Sequence, residues 1–366
     1  MFSSRFFKTY LLPGFIFQSI TIGGGYGTGR ELVEFFLKES PLGGLMGMIL
    51  AMAIWSVVLA ISFELARMSR TYDYRSFIRS LLGPGWLAYE AVYLIGLVLV
   101  ISVLGSAAGE LVRSMFGLAP IFGIVCMMLL VGLLAFFGST LIEKVLSFWS
   151  IALYLVFFFL ISASLWVFGD DILTNIRIYS THSTWAMSGI RYAAYNIGIL
   201  PAMIFVVRHL NTRREALLSG TLAGALTMIP GFFVYFAMTG SYPAILNEPV
   251  PTDFLALRLG IPAFTVILRI ILFGTFIETG VGLIHGFNER IAGVYLERQK
   301  TMPPALRAGI ALVVLAISVF VADAIGIVAL IARGYGALTW GYMACFVLPV
   351  LTVGSWKMWQ NKAAKR

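Results

Sequence analysis

The sequence predicts an all-α membrane protein, ten transmembrane helices in two inverted five-helix repeats. Three observations carry that expectation. The 366-residue chain is 60% hydrophobic and 12% charged, with a mean hydropathy of +0.92, whereas a soluble domain carries about 25% charge. Ten apolar stretches reach the roughly 20 residues that a bilayer crossing needs. Two of them, the first and the sixth, carry polar, glycine-bearing interruptions about half a chain apart, the pattern of an inverted repeat.

The ten stretches run approximately over 9–37, 42–67, 84–113, 117–138, 141–168, 186–209, 214–240, 261–290, 305–322 and 325–355. Five spans per half is an odd number, so the second half enters the bilayer from the opposite side. This gives a single transmembrane domain, with repeat one at about 9–168 and repeat two at about 186–355. The longest connections, 68–83, 169–185 and 241–260, are too short to bury a core of their own, and 68–83 has room for a short interfacial helix. The proline-bearing stretch 241–256 suits an outer lid or an inert connector. The basic start, Arg5 and Lys8, imitates a signal peptide, but the apolar run is too long and no small-residue cleavage site follows, so it reads as an uncleaved first span.

Positive charge orients the chain. With both termini in the cytoplasm, the inner connections hold eighteen Lys and Arg residues and the outer ones five: Lys38, Arg113, Arg177, Arg191 and Arg258. Arg30, Arg269 and Arg333 fall within spans. The net charge of +9 thus follows from topology, and no nucleic-acid partner is implied. Cys126 and Cys345 both lie in apolar stretches, and His182, His209 and His285 are far apart. Neither a disulfide framework nor a zinc site is expected, and no nucleophile–base pair indicates an enzyme.

The first interruption is Gly23-Gly24-Gly25-Tyr26-Gly27-Thr28-Gly29. Glycine costs about 1 kcal/mol in a helix interior relative to alanine, and bare backbone is tolerated in a bilayer only where it lines a protein cavity. The N–H groups of Gly23, Gly24 and Gly25 suit a carboxylate, with Tyr26 and Gly27 completing the site. The other reading is close helix packing, since Gly23/Gly27 and Gly25/Gly29 are G-x-x-x-G pairs. The sixth span holds Ala194-Tyr195-Asn196-Ile197-Gly198-Ile199-Leu200-Pro201. Tyr195, Asn196 and Gly198 fit a ligand wall there, or a proline kink with Asn196 as local repair.

Span eight carries a stripe at three- and four-residue steps: Thr275, Glu278, Thr279, Gly282, His285 and Glu289. Glu278 lies near mid-depth, where a charge costs at least about 2.5 kcal/mol. It reads as an ion-coupling site that exchanges a proton, or holds sodium with Thr275 and Thr279; the alternative is a structural pair with another helix. Arg30, Glu31 and Glu34 form the polar face of the outer half of span one, a vestibule or gate. Arg269 points away from Glu278 on the same helix, which leaves Glu110 or Glu90 as its expected partner. Glu64 is expected to pair with Arg67.

The stretch Ile22 to Phe36, I-G-G-G-Y-G-T-G-R-E-L-V-E-F-F, and Glu278 to Ile291, E-T-G-V-G-L-I-H-G-F-N-E-R-I, resemble the YkvI-type bacterial membrane proteins. These in turn resemble the amino acid-polyamine-organocation superfamily with the LeuT-type fold. The resemblance implies a secondary transporter of the bacterial inner membrane, with solute between spans one, three, six and eight. It also implies an outer gate in which an arginine of span one faces an acid of span ten. Arg30 fits the first role, but span ten offers Arg333, leaving Glu31 or Glu34 as the partner. The expected function is ion-coupled transport of a small organic solute, an amino acid or similar zwitterion. No cofactor is expected beyond H+ or Na+ as coupling ion. A ligand-sensing receptor and a channel of the same fold are the alternatives.

Overall fold

Apolar residues too numerous for one core dictate the architecture. Trp166, Phe320 and Leu312 stand outward, Leu312 at 70% exposure. So large an exposed apolar surface marks contact with lipid. The computed structural model describes residues 5–21, 27–137, 139–297 and 299–363, and within them the chain is almost entirely helical.

The first stretch gives α1 (Leu12–Thr21), continuous with a π-helical turn at Phe7–Leu11, and α2 (Arg30–Phe35). Then come α3 (Pro41–Ser69), the short α4 (Tyr74–Leu82), α5 (Trp86–Phe116), α6 (Pro120–Phe137) and α7 (Ser139–Ile178). The second half opens with α8 (Trp185–Ile197), which passes into a 3-10 helix, Leu200–His209. It continues with α9 (Arg213–Thr239), α10 (Pro251–Arg258), α11 (Pro262–Glu297), α12 (Pro304–Ile325) and the π-bulged α13 (Ile327–Gln360).

Among the described residues, seven helices are long and apolar enough to span a bilayer, and the bent pair of α8 and the 3-10 helix makes an eighth. Two of the ten expected spans fall short of that measure: α1 and α2 are 10 and 6 residues long, and α6 is a shorter apolar helix. The fold is thus an all-helical, multi-pass membrane bundle.

Packing is densest where backbones approach. α3 lies along α9, and a Cβ at Gly220 or Gly224 would strike the backbone of Ala60 or Ser56. Small residues are what allow such contact between membrane helices. α1 also packs on α9, and α8 packs on α3. The interfacial helix expected in 68–83 is α4, capped by Asp73, whose carboxylate accepts from the Ser76 N–H at 2.9 Å. It rests on the 3-10 helix.

Candidate solute site

α1 is described as far as Thr21, and Thr28 and Gly29 lead into α2. Gly29 takes φ +74 as the residue before α2. A side chain there would meet Met238 and Pro251 in addition to the left-handed strain. The turn is tied down from outside: the Thr252 hydroxyl donates to the Gly27 carbonyl at 2.8 Å. Gly23, Gly24, Gly25 and Tyr26 lie outside the described residues.

The second half of the site comes from α8. Its last turn gives way to the 3-10 helix through a bend of 67°, with Pro201 in the first turn after the bend. Past the last turn, Gly198 O accepts from Tyr89 OH at 2.6 Å, and within α8 the Ala193 carbonyl also accepts from the Trp55 indole at 3.0 Å. The ring of Tyr342 sits where a Gly198 side chain would be.

Between these elements lies a cavity of about 50 Å³. Its described lining includes Thr21, Glu31, Tyr93, Tyr195, Asn196, Thr279, Tyr335 and Tyr342. Glu31 is 3% exposed and accepts a hydrogen bond from Tyr195 OH. Tyr195 is sandwiched, stacking on Phe35 at 5.4 Å and on Tyr335 at 4.9 Å. Among the described residues, no lysine or arginine forms an ion pair with Glu31. A carboxylate removed from water is costly unless it is paired, so Glu31 is a group that either keeps its proton or takes a cation. Asn196, 8% exposed, donates to Tyr192 O at 3.3 Å and turns toward the same cavity.

Of the span-eight stripe, the cavity takes Thr279 and not Glu278. Glu278 is half-buried and within electrostatic reach of Tyr154 on α7. One residue along a helix is about 100° of rotation, and a cavity this narrow meets only one edge of the stripe. Thr275 is buried and returns its hydroxyl to Ile271 O at 2.8 Å.

Two polar clusters flank the cavity. On the α2 side, Arg30 is 1% exposed and donates to Leu246 O at 2.8 Å, Glu248 O at 2.9 Å and the Glu34 carboxylate at 2.9 Å. Its partner is therefore Glu34, which also takes Lys38 at 2.6 Å, while Glu31 faces inward. Arg269 does not pair with Glu110 or Glu90. It grips Asp253 of α10 through Nε at 2.6 Å and Nη2 at 3.0 Å. Glu110 is held by Arg113, and Glu90 by Arg290. The stretch 241–258 is thus strapped down at several points. At the opposite end, Arg290 pairs with Glu90 and lies over Tyr74 at 4.0 Å and Tyr93 at 4.9 Å. Glu64 pairs with Arg67 at 2.7 Å, as expected.

Tyr93, Tyr335 and Tyr342 are lining residues that pattern reading missed. They lie in spans three and ten, where the pattern reading followed only the charged residues, and an aromatic carries no depth signal. Arg191 was counted only as an outer charge. It lies 5.9 Å from the Phe35 ring, and its Nε is buried without a hydrogen-bond partner among the described residues.

Comparison with known proteins adds the fold's relatives. MhsT, solved in complex with L-phenylalanine, covers 96% of this chain and is covered to 96%, at a TM-score of 0.58 and 12% identity. A variant of the manganese transporter of Eremococcus coleocola matches 94% of this chain and 78% of its own, at a TM-score of 0.57 and 14% identity. The chain has the LeuT-type fold. In sequence it is homologous to the uncharacterized membrane protein YkvI of Bacillus subtilis (strain 168). The two are 20% identical over 280 residues, which cover 76% of this chain and 79% of that protein. No family model matches the chain.

Proposed function

We propose that the protein is a secondary active transporter that moves a small amine-bearing solute, an amino acid or related zwitterion, by alternating access. The observation that carries this reading is Glu31, a buried carboxyl lining a cavity to which four tyrosines also contribute. The solute's ammonium neutralises Glu31, within a wall to which Tyr93, Tyr335 and Tyr342 contribute. Asn196 and Thr279 supply polar contacts. The solute carboxylate rests on the amides of Gly23, Gly24 and Gly25, with Tyr26, Gly27 and Gly198 shaping the backbone wall.

Ten spans in two inverted repeats, about 9–168 and 186–355, fit the packing: α1 leans on α9 and α8 leans on α3, a reciprocal exchange between halves. In this scheme the chain sits in the bacterial inner membrane with both termini in the cytoplasm. The strap held by Arg30 and Arg269 closes the outer path, and the Arg290–Glu90 pair closes the inner one. A cavity of about 50 Å³ is small beside open ligand pockets of about 300–1,000 Å³, which fits a closed intermediate. Glu278, with Thr275 and Thr279 on the same helix, couples transport to a proton or sodium ion.

A thermal-shift screen of the purified full chain tests the reading. Solutes bearing an amine should stabilise the protein, by about 2.7 kcal/mol at a hundredfold excess over Kd, and amine-free carboxylic acids of equal size should not. Equal stabilisation by both classes sinks the assignment of Glu31. Uptake of a stabilising solute into proteoliposomes then separates a transporter from a receptor, which binds without flux, and from a channel, which does not saturate.

A further inference from the structure

Two helix faces lead away from the solute cavity. On α5, Val100, Leu97 and Tyr93 line the cavity, and Glu90 continues the same three- and four-residue steps. On α11, Thr279 and Leu283 line it, and Arg290 lies two turns beyond Leu283 on the same face. α5 packs against α11. Two turns of helix rise about 10 Å, so the Glu90–Arg290 pair stands roughly that far beyond Leu97 and Leu283, at the end opposite Arg30.

The way Arg290 is held there is informative. Its guanidinium lies over two ring faces, 4.0 Å from the Tyr74 centroid and 4.9 Å from that of Tyr93. The two rings are 5.6 Å apart and inclined by 58°, which makes a corner. The Glu90 carboxylate closes it, steadied by the Tyr74 hydroxyl, which donates to it at 3.1 Å. A carboxylate beside aromatic faces suits an organic cation, and the chain fills the place with a cation of its own. A guanidinium has five N–H donors to satisfy, yet Arg290 Nη1 is buried with no hydrogen-bond partner among the described residues. The side chains of Arg290 and Glu90 keep 17% and 23% exposure, so the corner is open to an entering ion. An occupant held by one carboxylate and two rings is exchangeable.

We infer that Glu90, Tyr74 and Tyr93 form a second organic-cation site, held by Arg290 in this structure and taken by the solute's ammonium once Arg290 withdraws. The part played by the solute rests on the transport reading above; the cation site itself does not. Tyr93 belongs to both places. An amine leaving Glu31 therefore passes one shared ring before it meets a second carboxylate.

The test removes the resident cation from the full chain. Arg290→Ala vacates the corner, and Arg290→Gln does so with most of the stem kept. Melting curves are recorded with guanidinium chloride, ethylammonium chloride or sodium chloride at equal millimolar concentrations. Both organic cations should raise the midpoint of either variant, and sodium should not. Guanidinium should bind the variants at least about tenfold more tightly than it binds the unaltered chain, the factor expected of a hydrogen bond to a charged group. Adding Glu90→Gln should remove that gain; adding Glu31→Gln should leave it, which separates this site from the solute cavity. Should neither variant fold alone, guanidinium present during purification should restore both. An equal response to sodium, a response that survives Glu90→Gln, or no response and no restoration overturns the inference. A solute screen that finds no amine-bearing ligand, while guanidinium still answers through Glu90, would sink the transport reading and leave the cation site standing.

Discussion

Replacing Glu31 with glutamine separates a solute-binding carboxylate from a structural one. Glutamine keeps the shape of the side chain, and its carbonyl still accepts from Tyr195 OH, the bond Glu31 accepts now. Only the charge is removed. A hydrogen bond to a charged group contributes about 1.5–3 kcal/mol. At about 1.4 kcal/mol per factor of ten, the affinity for an amine-bearing solute should fall roughly 10- to 150-fold. Thermal stability should move the other way or stay level, because a neutral amide avoids the cost of burying a charge. The two quantities come from one experiment, melting curves at rising solute concentration, in which the midpoint in the absence of solute reports stability and its concentration dependence reports affinity. Protons compete with the ammonium for the same carboxylate, so affinity in the unaltered protein should fall as pH is lowered, and Glu31→Gln should abolish that dependence. An unchanged affinity, or a loss of affinity matched by a collapse in stability, refutes the reasoning.

Arg30→Ala removes the bonds to Leu246 O, Glu248 O and Glu34; hydrogen exchange of amides in 244–250 should speed up at least about tenfold, and an unaltered rate would show that Arg269 and Thr252 hold the strap alone. Gly198→Leu forces the Tyr342 ring aside; a cost of about 1–3 kcal/mol is expected for overpacking, visible as a lowered melting temperature together with lost solute binding, and a neutral result would place Tyr342 elsewhere. Glu278→Gln should abolish accumulation against a gradient in proteoliposomes while leaving counterflow exchange largely intact; normal accumulation would remove Glu278 from the coupling role.

Eight of the ten expected span positions coincide with helices, or a bent helix pair, long and apolar enough to cross, because a crossing demands length and apolarity, and both are written locally. The break at Asn196–Pro201 was legible for the same reason, since proline and glycine act on their own neighbours. Depth was harder to read. Counting rise along an unbroken helix put Glu278 at mid-bilayer, yet it faces α7 rather than the cavity. Glu31 follows a run of glycines, a sequence that gives no assurance of a constant helical rise, so its burial could not be counted out along the chain. Ion-pair choice was illegible for a different reason. Arg269 takes Asp253 because the strap folds back over α11, and a partner sixteen residues away across a turn leaves no periodic trace.

The 3-10 stretch Leu200–His209 stores length. Ten residues rise about 20 Å at 2.0 Å each in this form, against about 15 Å as α-helix. Rewinding it would draw its far end some 5 Å toward the middle of the bilayer. Because α4 rests on this stretch, the pull would reach Tyr74, whose hydroxyl meets Glu90 at 3.1 Å. A change of winding at one point of the backbone could thus unlatch a pair of side chains on two other helices, with no hinge in either.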